Sequence, residues 1–173
     1  TTTPDWAAAD LIGQLLFSES APLYQDLVVD KQWVDQFFGG LPARRDPFPF
    51  TIFVRARSEE LMPKVREAIL TGLEKLKTEP VDPARLSRIK SHLRYAFVQG
   101  LDSPGAVADQ VAQALNLTGS VESINASYAQ YEKVTPADIQ RVAKQMFRAE
   151  NRTVVNLRHV PKAAEVATEK GGN

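Results

Sequence analysis

At four points in this 173-residue chain a residue able to cap a helix is followed at once by proline: Thr3-Pro4, Asp82-Pro83, Ser103-Pro104 and Thr135-Pro136. The side-chain oxygen of the first residue accepts from a backbone N–H of the opening turn. Proline at the next position has no N–H to leave unsatisfied. Three of these pairs fall between Ser58 and about Ala149, a stretch without strand-like alternation. Ser58 is expected to cap a long helix whose apolar residues Leu61, Val65, Ile69, Leu73 and Leu76 recur at helical spacing. Asp82-Pro83 opens a second helix carrying Leu86, Ile89, Leu93 and Phe97, and Ser103-Pro104 a third carrying Val107, Val111 and Leu115. A further helix is predicted over Val121 to Glu132. Thr135 opens the last, with Ile139, Val142, Ala143 and Met146 on one side and Asp138 where a carboxylate favours the helix N-terminus. No self-similarity joins these segments, so the device is punctuation and not a repeat array.

The first 57 residues read differently. Thr3-Pro4 starts a helix to about Phe17, with Ile12, Leu15 and Leu16 facing in and Asp5, Asp10 and Gln14 largely out. Ser20 to Asp30 is a second helix with Leu23, Leu27 and Val28 at helical spacing, feeding a strand over Trp33 to Phe38. This helix-to-strand stretch is expected to organise the fold. Gly39-Gly40 and Leu41-Pro42 are read as ending the strand, and Ala43 to Pro47 as a polar connection. Phe48 to Arg57 alternates with a period of two, Phe48, Phe50, Ile52, Val54 and Ala56 forming a dry face. Phe53 breaks the alternation and implies a partly covered second face. The two strands are expected to pair as an antiparallel hairpin with a long loop, and Arg152 to Arg158 to form a last strand. The tail from Pro161 has no stripe to bury and is expected to be mobile. The predicted class is α+β: a small antiparallel sheet covered on one face by helices, with residues 1–160 as one domain and 161–173 as a tail.

Composition narrows the function. Acidic and basic side chains balance at 21 each, so no global field draws nucleic acid or anionic lipid. The absence of cysteine excludes disulfides, thiolate metal sites and a cysteine nucleophile. No apolar run approaches the roughly 20 residues of a membrane span. The chain opens at Thr1 without a methionine, which is expected of a processed protein or a piece of a longer one.

The residues for independent chemistry are sparse. His92 and His159 are the only histidines, and neither begins a His-x-x-Glu-His pattern, in which two imidazoles one helical turn apart hold a metal and the glutamate activates its water. No serine sits in a Gly-x-Ser-x-Gly elbow, and Gly39-Gly40 lacks the Lys-Ser/Thr of a phosphate loop. Arg85, Arg88, Lys90, His92 and Arg94 crowd one helix. They are read chiefly as its solvated side, with a basic rail of Arg85, Arg88 and His92 as the sharper alternative. Arg44-Arg45 is a solubilising pair, and the Asn-x-Ser/Thr triplets at Asn116, Asn125 and Asn151 are chance occurrences.

Four segments carry a family resemblance: Ser20 to Phe38; Val81-Asp82-Pro83-Ala84-Arg85-Leu86 through Lys90; Val134 to Ala143, VTPADIQRVA; and Asn151 to Val155, NRTVV. In their order and spacing they resemble the C-terminal, non-zinc domain of insulinase-like (pitrilysin-family) zinc metallopeptidases. That resemblance implies a LuxS/mitochondrial-processing-peptidase-like fold whose leading strands lie upstream of the helix at 4–17. It implies zinc and peptide hydrolysis in the full-length protein, none of it bound or performed by this segment. The partners it implies are an N-terminal zinc-bearing domain, in the same chain or a partner subunit, and a peptide substrate enclosed in a clam-like chamber. A periplasmic or otherwise exported location goes with it. Several family members hold an Arg and, seven positions later, a Tyr that contact substrate, and here those positions are Val28 and Asp35. Valine donates nothing, and a carboxylate would repel a developing oxyanion. Two explanations stay open: a partner supplies those groups, which is favoured, or the site is degenerate. The rival readings are an inactive structural subunit of the same fold and a self-standing peptide-binding module.

Overall fold

The computed structural model describes residues 3–46 and 48–158. The elements run α1 (Pro4–Phe17), α2 (Pro22–Tyr24) continuing into a π-helical turn (Gln25–Asp30), β1 (Val34–Gly40), β2 (Thr51–Ala56), a 3-10 turn (Glu59–Leu61), α3 (Met62–Thr78), α4 (Pro83–Gln99), α5 (Pro104–Thr118), α6 (Ser123–Lys133), α7 (Pro136–Met146) and a 3-10 turn (Ala149–Asn151). β1 and β2 form a two-stranded antiparallel sheet.

All four cap-proline pairs open helices. The side chains of Thr3, Asp82, Ser103 and Thr135 accept from Trp6, Ala84 and Arg85, Ala106, and Asp138 respectively. At Thr135 the bond is reciprocated, since Asp138 accepts from the Thr135 backbone N–H at 3.0 Å and closes a capping box. Ser58 is the exception. It makes no capping bond, because the 3-10 turn intervenes before α3.

The centre of the molecule is α1, not the Ser20–Phe38 stretch. Nine of its 14 residues are buried: Ala7, Ala8, Ala9, Leu11, Ile12, Gly13, Leu15, Leu16 and Phe17. A helix apolar on every side is covered on every side. Here β1, α2, α4, α6 and α7 all touch it. Asp10, read as outward, is half-buried and accepts from the Tyr131 hydroxyl of α6 at 2.8 Å. Burial raises its carboxyl above the ordinary value, and the Tyr131 hydrogen bond opposes that rise. Leu27, Val34, Val65, Ile139 and Val142 complete the core around α1.

β1 runs on through Gly39 and Gly40, where the sequence reading ended it. The glycines serve approach, not a turn. A Cβ on Gly39 would lie 2.6 Å from the Phe17 ring, and one on Gly13 would lie 3.0 Å from the Gly39 carbonyl. Only bare backbone lets β1 lie this close on α1. A bulge between Val34 and Gln36 places Asp35 and Gln36 both outward, so that Val34 and Phe37 both reach the core.

Three further expectations are corrected. Arg152 to Arg158 forms no strand, and Val154, Val155 and Leu157 are exposed. Among the described residues no strand lies beside it, and it is tied down only by side chains, Arg66 to Asn156 at 2.9 Å and Arg158 to Glu59 at 2.6 Å. The Val107–Leu115 stripe of α5 does not face the core. Ala114 is the buried residue, while Val107 and Leu115 are exposed. Phe53 is not covered on the second face; it is exposed and stacked on Phe38, rings 4.9 Å apart at 16°. Residues 161–173 and His159 lie outside the described residues.

Candidate functional site

The positions singled out by resemblance sit on the junction between α2 and β1. Over Gln25–Asp30 the backbone widens to a π-helix, with the Lys31 N–H donating to the Asp26 carbonyl at 3.0 Å. The chain then passes through Gln32 at φ 52, in the left-handed region, and the Trp33 N–H donates to the Leu27 carbonyl at 2.9 Å. Lys31 fastens the junction, bonding Asp26 at 2.6 Å with its ammonium 4.7 Å from the centre of the Trp33 ring. Val28 is half-buried against the hydrophobic core. It is a packing residue.

Asp35 sits in the bulge, exposed, 2.7 Å from Arg55 Nε on the facing strand. That hydrogen bond, with the charges of Arg55 and Arg57, holds its carboxyl below the ordinary value. Sequence reasoning missed Arg55. Its outward position in the alternation of β2 was visible, but the bulge that brings Asp35 beside it was not. The same sheet face carries the Phe38–Phe53 stack, so it presents an aromatic platform beside an ion pair. In the loop between the strands the Arg44 guanidinium lies 4.6 Å from the centre of the Phe48 ring. Neither outer edge of the hairpin has a ladder partner among the described residues.

The basic rail on α4 does not assemble. Arg85 turns inward and donates to the Leu15 carbonyl at 2.6 Å, satisfying the C-terminal end of α1. Burial, and next the charge of Arg88, lower its pKa. Lys90 does the same for α6, donating to the carbonyls of Glu132 at 3.0 Å and Val134 at 2.6 Å. Arg88 and His92 remain exposed. These two caps bind helices far apart in sequence, and no local pattern announces them.

The described residues form no zinc site. His92 stands exposed on α4, and among the described residues no group of three or more His, Cys, Asp or Glu side chains is placed to hold a metal. The described residues also include no helix long and apolar enough to cross a membrane.

Residues 1–93 match the family described as the peptidase M16 inactive domain. The chain belongs to that family. It is 25% identical over 155 residues to a zinc protease, PqqE, of Helicobacter pylori, and spans 89% of itself but only 35% of that relative. Its fold matches a protease from Helicobacter pylori with a TM-score of 0.72 at 25% identity, covering 84% of this chain and 35% of the other. The inactive peptidase domain of a Bordetella parapertussis protein matches over 94% of this chain and 88% of its own length, with a TM-score of 0.73 at 22% identity. This is the non-catalytic C-terminal domain of a zinc-protease-like protein. The chain spans about a third of the curated relative.

Proposed function

We propose that this domain forms one half of a peptide-enclosing chamber whose other half, a zinc-bearing domain of the full-length protein, hydrolyses the peptide bond. The observation that carries the reading is the alignment of nearly all of this chain, 89%, with one third of a zinc protease, while the matched family is an inactive one.

The chemistry of the hairpin fits that part. Val28 offers no hydrogen bond, and the charge of Asp35 is matched by Arg55, so neither of these two positions supplies a donor to an oxyanion. The donors come from the partner half. The hairpin offers instead strand edges that have no ladder partner among the described residues, which bind an extended peptide through backbone hydrogen bonds with little demand on side-chain identity. An exported, periplasmic location goes with this reading, and cell fractionation of the full-length protein tests it.

The deciding experiment measures zinc content and peptide cleavage for the full-length protein beside this 173-residue chain. About one zinc per full-length chain, with cleavage that this chain alone lacks, is the expected result. A full-length protein with neither zinc nor cleavage overturns the proposal and leaves a scaffold.

A further inference from the structure

α5 and α6 form a lobe that rests on the rest of the molecule with little buried area. α5 buries only Ala114, and α6 buries no residue fully. α5 leans mainly on α6, and α6 in turn meets α1 and α4. Between Leu93 and Val134, Tyr131 is the only hydrophobic side chain packed against the core. Its ring stands 6.0 Å from Trp6 of α1 and 5.9 Å from Tyr128, which stands 4.7 Å from Phe97 of α4. Its hydroxyl donates to Asp10 Oδ2 at 2.8 Å. The other anchor, Lys90 on the carbonyls of Glu132 and Val134, holds only the end of α6. One tyrosine thus ties the lobe to the core, and it ends on a carboxylate.

That carboxylate is poorly placed to carry a charge. Asp10 is half-buried, forms no ion pair among the described residues and accepts from Tyr131 alone. The Trp6 indole N–H, one turn earlier, is buried without a hydrogen-bond partner and lends it nothing. The hydroxyls of Tyr131 and Tyr128 are both held above the ordinary tyrosine value, first by burial and next by the charge of Asp10, so they stay protonated. The charged groups of the other elements packed on α1 are committed elsewhere or exposed. Arg85 of α4 bonds the Leu15 carbonyl, and Arg141 of α7 bonds Asp5 at 2.6 Å. Arg88, His92 and Arg94 of α4, Lys144 of α7, and Glu132 and Lys133 of α6 are exposed. β1 brings only Asp35, which is paired with Arg55, and α2 brings no charged residue. A half-buried carboxyl with one neutral donor and no cation favours its neutral form.

We propose that the Asp10–Tyr131 contact is a pH-sensitive latch, docking the α5–α6 lobe on α1 while the carboxyl is protonated and releasing it as the carboxyl ionises. An open lobe returns the carboxylate to water, so ionisation favours opening. Docking is therefore strongest below the ordinary value of 3.8 and weakens as the pH rises through the raised value of the docked state. The lobe can open without the core, because it shares so little buried surface with it.

Hydrogen–deuterium exchange on this chain tests the latch, with the rate at each pH taken relative to that of an unstructured peptide at the same pH. The amides of residues 104–133 are expected to be less protected than those of α3 by roughly tenfold or more throughout. Their protection is expected to fall several-fold between about pH 4 and about pH 7. Asp10→Asn keeps the acceptor and cannot ionise, so its lobe protection is expected to be level across that range. Tyr131→Phe removes the carboxylate's donor and is expected to extend the fall to higher pH. Lobe amides as well protected as those of α3 overturn the proposal, because the lobe then opens only with the whole molecule. Level lobe protection in the wild type overturns it too. So does a fall that survives in Asp10→Asn or keeps its position in Tyr131→Phe, which assigns the titration to another group.

Discussion

α1 and the α4–α6 arm are both helical and both opened by a capped proline or a short turn, yet they are held in opposite ways. α1 buries nine residues and is touched by elements from five places in the chain. α5 buries only Ala114, and α6 buries no residue fully. α1 is secured by area and shape, whereas the arm is secured by a few directional bonds: Tyr131 to Asp10, Lys90 to the end of α6, and the Phe97–Tyr128 contact at 4.7 Å. Helix propensity does not distinguish the two. What each can lean on does.

Truncation gives the largest contrast. Leu11→Ala is expected to cost about 2–5 kcal/mol, and Leu115→Ala well under about 1 kcal/mol, both read by urea unfolding. Equal losses would abolish the distinction. Next comes the close approach at the sheet. Gly39→Ala drives a methyl into the Phe17 ring, which is already packed edge-on against Phe37 at 5.1 Å. A loss of about 1–3 kcal/mol is expected, with a thermal melt as the measurement.

The bond joining the two regions follows. Tyr131→Phe removes a part-buried hydrogen bond to a carboxylate and is expected to cost about 1–3 kcal/mol. Its pH dependence has a definite sign. Because the folded pKa of Asp10 is raised, the folded state binds that proton more tightly than the unfolded one. The stability this group contributes is fully present below its ordinary 3.8 and is lost as the pH rises through the raised folded value. Asp10→Asn is expected to remove that component, so the stability of the wild type falls relative to that of the variant as the pH rises across this window. A constant offset from pH 3 to 8 would show that folding does not shift the Asp10 pKa.

Smaller still is the α7 cap, where Thr135→Ala is expected to cost about 1 kcal/mol. The smallest effect belongs to the exposed Asp35–Arg55 pair. Arg55→Ala is expected to leave the melting midpoint of this chain unchanged.

The resemblance and the structure agree on fold for a physical reason. Cap-proline pairs act within four residues, so each helix start was legible at Thr3, Asp82, Ser103 and Thr135. Alternation along Ile52, Val54 and Ala56 fixed which side of β2 faces inward. The candidate site was less legible. Val28 and Asp35 could be picked out, but that Val28 packs against the core and that Asp35 meets Arg55 depends on a π-turn and a bulge, each one residue out of register.

By itself, then, the sequence determined the local grammar: where helices start, which strand alternates, and that metal, nucleophile and nucleotide motifs are missing. Tertiary structure decided which apolar faces are used. The stripes of α3 and α5 look alike on paper, but Val65, Ile69, Leu73 and Leu76 find a neighbour, whereas Val107 and Leu115 do not. It also decided that Arg85 and Lys90 are caps and not a rail, since their acceptors lie 70 and 44 residues away. Periodicity states that a face is apolar. Only the assembled chain states what covers it.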